Sequence, residues 1–104
     1  MTDLPLFLYT TRPSRLGMVT DGATPEEAAV VSDHFDRLEQ LAEEGVVLLA
    51  GRTQDADETT FGIVIFRAVD LAAARAIMES DPAIRTGVML GELHPYRIAI
   101  QGRL

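Results

Sequence analysis

Two residues in this chain are of a type and spacing that could move a proton. The segment SDHFDRLEQL, residues 32 to 41, carries His34 inside an apolar helical stripe of Val30, Val31, Phe35, Leu38, Leu41 and Ala42. Asp81 stands at the end of a second amphipathic segment, directly before Pro82. An imidazole beside a carboxylate has its tautomer fixed and its protonated form stabilised, which leaves the other ring nitrogen free to take or give a proton. Taken singly, each residue also has a plain structural reading. His34 can be a half-buried core histidine satisfied by a backbone carbonyl, and Asp81 can be the stop residue of an Asp-Pro turn.

Whether the two meet depends on the elements that hold them. Thr24-Pro25-Glu26-Glu27 is a helix start: a capping threonine, a proline suited to the first turn and two acids at the positive end of the dipole. That helix is expected to run to Glu44 and stop at Gly45, which can take a left-handed conformation. Asp70 caps LAAARAIMES, whose Leu71, Ala74, Ile77 and Met78 make a shorter amphipathic helix ended by Asp81-Pro82. At about 1.5 Å per residue, His34 lies roughly 14 Å beyond Pro25 and Asp81 roughly 16 Å beyond Asp70. Parallel helices starting level would bring them to similar heights.

The strands read as PLFLYTT (5 to 11), VVLLAGRTQ (46 to 54), TFGIVIFRA (60 to 68) and VMLGELHPYRIAI (88 to 100). The second and third form a hairpin, Pro95 assigns the last to an edge or a bulge, and a brief turn spans 83 to 87. Residues 12 to 23 read as a loop of unusual length, either a flap or a disordered excursion. The resulting order is βαββαβ, the ferredoxin-like arrangement of α+β class, with two helices on one face of a four-stranded antiparallel sheet. One domain accounts for the whole chain of 104 residues. Several strands are apolar on both sides: Leu6 and Leu8 alternate with Phe7 and Tyr9, and Ile63 and Ile65 with Val64 and Phe66. The helices can cover only one sheet face, so the other is expected to pack against a second copy as a homodimer.

Composition narrows the function. Hydrophobic residues are 47% and charged residues 24%, the balance of an ordinary globular protein. The net charge of -7 disfavours nucleic acid and anionic membrane as partners. No apolar run spans a bilayer and the first residues lack a basic leader, so a cytoplasmic location is expected. Without cysteine there is neither a thiolate nucleophile nor a thiolate metal site. Asp33, His34 and Asp36 do not share a helix face, so they make no metal site. No phosphate-binding glycine loop or nucleophilic serine motif is present, and no cofactor is called for. Tyr9, Arg12, Arg52 and Arg85 sit at strand ends or in adjoining loops, where they could hold a carboxylated substrate; Arg15 is a weaker candidate of the same kind. His94 precedes a proline and reads as structural or exposed.

The stretches HFDRLEQLAEEGVVLLAGRT, TFGIVIFRAVDLAAARAIMESDPAIRTGVM and ELHPYRIAI resemble the YCII-related proteins, small members of the dimeric α+β barrel group. The resemblance runs from Thr24 onward. It rests on the first-helix histidine with its following leucines and Gly45, the AGR strand and the Asp-Pro after the second helix. It implies that His34 and Asp81 are a catalytic pair working without a metal. Some relatives are implicated in dehalogenation of chlorinated muconolactones, and the expectation for this chain is proton transfer on a small organic acid or lactone, by dehalogenation, isomerisation or hydrolysis. Two positions depart from the family pattern: Val31 stands where arginine is frequent, and Arg52 where proline is. The alternative is a non-catalytic dimer that binds a metabolite or a protein in the same hollow.

Overall fold

A computed structural model describes residues 4–104. Its elements are β1 (Leu6–Pro13), α1 (Gly17–Thr20), α2 (Pro25–Glu43), β2 (Val47–Arg52), β3 (Gly62–Arg67), α3 (Leu71–Ser80), α4 (Pro82–Arg85) and β4 (Met89–Tyr96). The strands form one antiparallel sheet in the order β2-β3-β1-β4, so the ferredoxin-like α+β arrangement stands. β4 is an edge strand and holds Pro95, where the missing N–H leaves no ladder bond unmade on the open side.

Local chemistry sets the long helix. Thr24 Oγ1 accepts from the Glu27 N–H at 3.1 Å, and Glu27 Oε1 accepts from the Thr24 N–H at 2.8 Å, a reciprocal cap that uses two of the orphan donors. Gly45, at φ 78°, turns the chain out of α2 and into β2. β2 and β3 are each shorter than expected, the turn expected over 83 to 87 contains α4, and three larger differences have a physical reason. β1 continues two residues past Thr11 because Arg12 and Pro13 pair with Leu90 and Met89 of β4. The last strand stops at Tyr96, not at residue 100, since its partner β1 begins at Leu6 and offers nothing further to pair with. The segment 12 to 23 is not a bare loop: it contains α1, and Arg15 ties it to α2 through Glu27, with contacts of 2.6 and 2.9 Å, and to Gly22 O at 3.1 Å.

The core lies between the sheet and the helices. Phe7, Tyr9, Val64 and Phe66 come from the sheet, Leu38 and Leu41 from α2, and Ala74 and Met78 from α3. Phe35 corrects the sequence reading. Helical spacing puts it in the apolar stripe, yet it is 52% exposed, because the buried line of α2 is His34, Leu38 and Leu41. Phe35 is one step, about 100°, round the helix from His34 and so stands beside that line and not within the packed core.

Candidate functional site

Asp81 sits between α3 and α4 and serves both. Its N–H bonds to Met78 O at 3.1 Å, closing α3, while its Oδ1 accepts from the Ala83 N–H at 2.9 Å and caps α4. The φ of -63° and ψ of 123° that Pro82 favours turn the chain sharply here. That turn aims the carboxylate at α2. His34 Nδ1 lies 2.8 Å from both carboxylate oxygens, and the Tyr9 hydroxyl donates to Oδ2 at 2.6 Å.

All three residues are buried, with 5% of His34, 1% of Asp81 and 1% of Tyr9 exposed. Burial would by itself push the Asp81 carboxyl up, but the hydrogen bonds from His34 and Tyr9, the His34 charge and the Ala83 N–H outweigh it. The carboxyl is held below its ordinary range. Burial, with the Asp81 charge and hydrogen bond adding to it, pushes the Tyr9 phenol far up, so Tyr9 remains a neutral donor. An ionised carboxylate only accepts hydrogen bonds, so Nδ1 of His34 carries a proton. In the neutral ring Nε2 then holds the lone pair.

Nε2 bonds to none of the described residues, and none of their buried side-chain nitrogens or oxygens is left without a partner. Nε2 is therefore reached from the hollow that His34 lines. This hollow, of about 430 Å³, lies between α2 and the sheet, walled by Leu38, Val47 and Val64, with Thr11 and Arg52 at its polar end. A second hollow of about 750 Å³ lies under α1 and shares Thr11, Phe35, Arg52, Gly62 and Met89 with the first. The ring of Phe35 stands edge-on to that of His34 at 5.2 Å.

The residues expected to hold substrate separate into distinct places. Arg52 lines both hollows. Tyr9 lines neither described wall, because its hydroxyl is spent on Asp81, so its place is behind the carboxylate rather than against a ligand. Strand alternation turns Arg12 to the opposite sheet face, where its guanidinium lies 5.2 Å from the Phe61 ring centroid. Arg85, on the exposed side of α4, lines neither hollow. Thr11 is the polar residue that sequence reasoning passed over. The signal was there in the alternation of Phe7, Tyr9 and Thr11 along β1, but it needs the register to be useful. Among the described residues no His, Asp and Glu side chains cluster as metal ligands, and no helix is long and apolar enough to cross a membrane.

The family model of the YCII-related domain matches residues 6–91. The chain belongs to the YCII-related family. The match begins upstream of Thr24 and so takes in β1 with Tyr9 and Thr11. Among solved structures, this YCII-related chain is similar to 5-chloro-2-hydroxyhydroquinone dehydrochlorinase (TftG) from Burkholderia phenoliruptrix AC1100, in complex with 2,5-dihydroxybenzoquinone. The TM-score is 0.63 at 20% identity, covering 88% of this chain and 93% of the other. It is also similar to SnoaB, a cofactor-independent oxygenase from Streptomyces nogalater, with a TM-score of 0.50 at 10% identity, covering 96% and 97%. At these identities the likeness establishes the fold. No curated protein matches the chain.

Proposed function

We propose that this YCII-related protein is a small-molecule enzyme that moves a proton on a small organic acid or lactone, with His34 as base and acid. The observation that supports this reading is the division of the imidazole: Nδ1 is committed to an ionised, fully hydrogen-bonded Asp81, while Nε2 opens on an apolar hollow. In the reaction Nε2 takes a proton from a carbon beside a carbonyl, and the electron pair moves to the carbonyl oxygen as an enolate. The imidazolium so formed faces the Asp81 carboxylate. It returns the proton at another atom in an isomerisation, or keeps it while an anion such as chloride leaves in a dehalogenation. Neither step requires a cofactor. Two proteins sharing the fold, a dehydrochlorinase and a cofactor-independent oxygenase, favour such chemistry.

The protein works as a homodimer in this reading. On the sheet face away from the helices, Leu6, Leu8 and Ile63 are only partly buried, and Leu49 and Leu90 are 44% and 63% exposed. A second copy packed sheet to sheet would take them from water. Sedimentation at micromolar concentration should give a dimer, and a monomer would remove this part of the proposal.

The catalytic part is tested by deuterium exchange from solvent into a panel of lactones and 2-oxo acids, followed by NMR. Exchange in wild type should fall by about 10²–10⁴-fold in His34→Gln, the usual worth of a positioned acid-base group, with folding retained. Asp81→Asn should fall similarly. Ligand binding without any exchange in wild type would instead favour a non-catalytic binder.

A further inference from the structure

Cross-strand pairing sets Arg52, Gly62, Thr11 and Gly91 in one row across the sheet, on the face toward the helices. Thr11 thus stands between two residues that have no side chain. The bareness is enforced by close packing. A Cβ on Gly62 would overlap Thr11 Oγ1 and come within 3.2 Å of Gly51 O, and one on Gly91 would press on Ile84 Cδ1 at 2.9 Å and Met78 Sδ at 3.1 Å.

Thr11 is 7% exposed, yet its hydroxyl makes no hydrogen bond to any described residue. Since none of the described buried side-chain oxygens lacks a partner, Oγ1 reaches open space; Thr11 lines the hollow that His34 also lines and, at its border, the second hollow under α1. An unpartnered hydroxyl in so enclosed a position costs stability. Valine has the same shape and suits a strand at least as well, so packing does not account for the oxygen.

We propose that Thr11 is a ligand-binding residue: its hydroxyl donates a hydrogen bond to the substrate oxygen on which negative charge gathers when His34 Nε2 removes a proton. The ligand class this selects is a planar enol or phenol of about one ring. The hollow of about 430 Å³ suits that size, its Leu38, Val47 and Val64 walls suit an apolar ring, and Arg52 at the end of the row suits an anion. The choice of ligand rests on the acid-base reading of His34. The role of Thr11 as a donor rests on its own geometry.

The probe is 4-nitrophenol, whose absorbance reads both binding and ionisation. On binding, the phenol proton passes to Nε2, the electron pair remains on the phenolate oxygen, and that oxygen accepts from Thr11. Wild type should bind the probe as phenolate. Thr11→Val should weaken binding about tenfold, as loss of one hydrogen bond to a charged group does, and Thr11→Ser should restore it to within about twofold. Thr11→Ala serves if the valine variant fails to fold. No binding by wild type, or equal binding by the valine or alanine variant, would overturn the proposal. His34→Gln separates the two readings: its bound probe should remain un-ionised. If the probe still ionises there while Thr11 dependence persists, the acid-base role of His34 fails and that of Thr11 stands.

Discussion

The helix-facing side of the sheet has a filled end and an open end, and they differ by side-chain volume in matching rows. At the filled end Val47, Phe66 and Phe7 lie side by side at 7%, 0% and 5% exposure, and Phe66 packs on the rings of Phe7 and Tyr9 at 6.1 and 5.6 Å. At the open end the row is Arg52, Gly62, Thr11 and Gly91. Tyr9 belongs to the row between, and it joins the two: its ring is core, its hydroxyl holds Asp81. One end of a single sheet thus supplies stability while the other is left hollow for a ligand, with the ionised carboxylate at the boundary.

That contrast can be broken at either end. Phe66→Ala should cost about 3–5 kcal/mol in chemical denaturation, the usual range for a buried phenylalanine. Tyr9→Phe should cost about 1.5–3 kcal/mol by removing a hydrogen bond to a buried carboxylate. It should also alter the acid limb of stability. Asp81 is depressed in the folded state, so its contribution is fully present above the ordinary carboxylate value, about 4, and is lost as pH falls through the folded value. Tyr9→Phe removes one of the bonds that depress it, so in a denaturation series the loss should still begin near the ordinary value but should end at higher pH and be smaller in total. Gly62→Ala should cost about 1–3 kcal/mol through overpacking and should also block the hollow, which ligand titration would detect. Thr11→Val at the open end should leave stability unchanged or raise it by up to about 1 kcal/mol, since it removes an enclosed hydroxyl without a protein partner, in contrast to the loss at Phe66 in the same sheet. Least affected should be Arg15→Ala, whose ion pair with Glu27 lies at the surface, with 45% of the Arg15 side chain exposed; its thermal midpoint should stay close to that of wild type.

The two ends were unequally legible in the sequence. Helical spacing and rise per residue sufficed to bring His34 and Asp81 to one height, because helices are rigid rods whose starts were marked by Thr24 and Asp70. Tyr9 and Thr11 could be assigned to a strand face by alternation but not to a row, since a row depends on register and β2 carries a bulge between Val47 and Leu49. This is why Tyr9 read as a substrate contact and Thr11 was not singled out. Arg12 sits near the same strand end as Thr11, yet adjacent strand residues face opposite ways, so its guanidinium lies on the other side of the sheet. α1 and α4, each four residues long, are too short to show a period.

The central claim is that Asp81 fixes the proton on Nδ1 of His34 and leaves Nε2 as the reactive nitrogen. Long-range ¹H–¹⁵N correlation NMR of the folded protein reads that tautomer directly. The neutral ring of His34 should be protonated at Nδ1 and bare at Nε2, and should lose that preference in Asp81→Asn. A neutral ring carrying its proton on Nε2 in wild type would contradict the account.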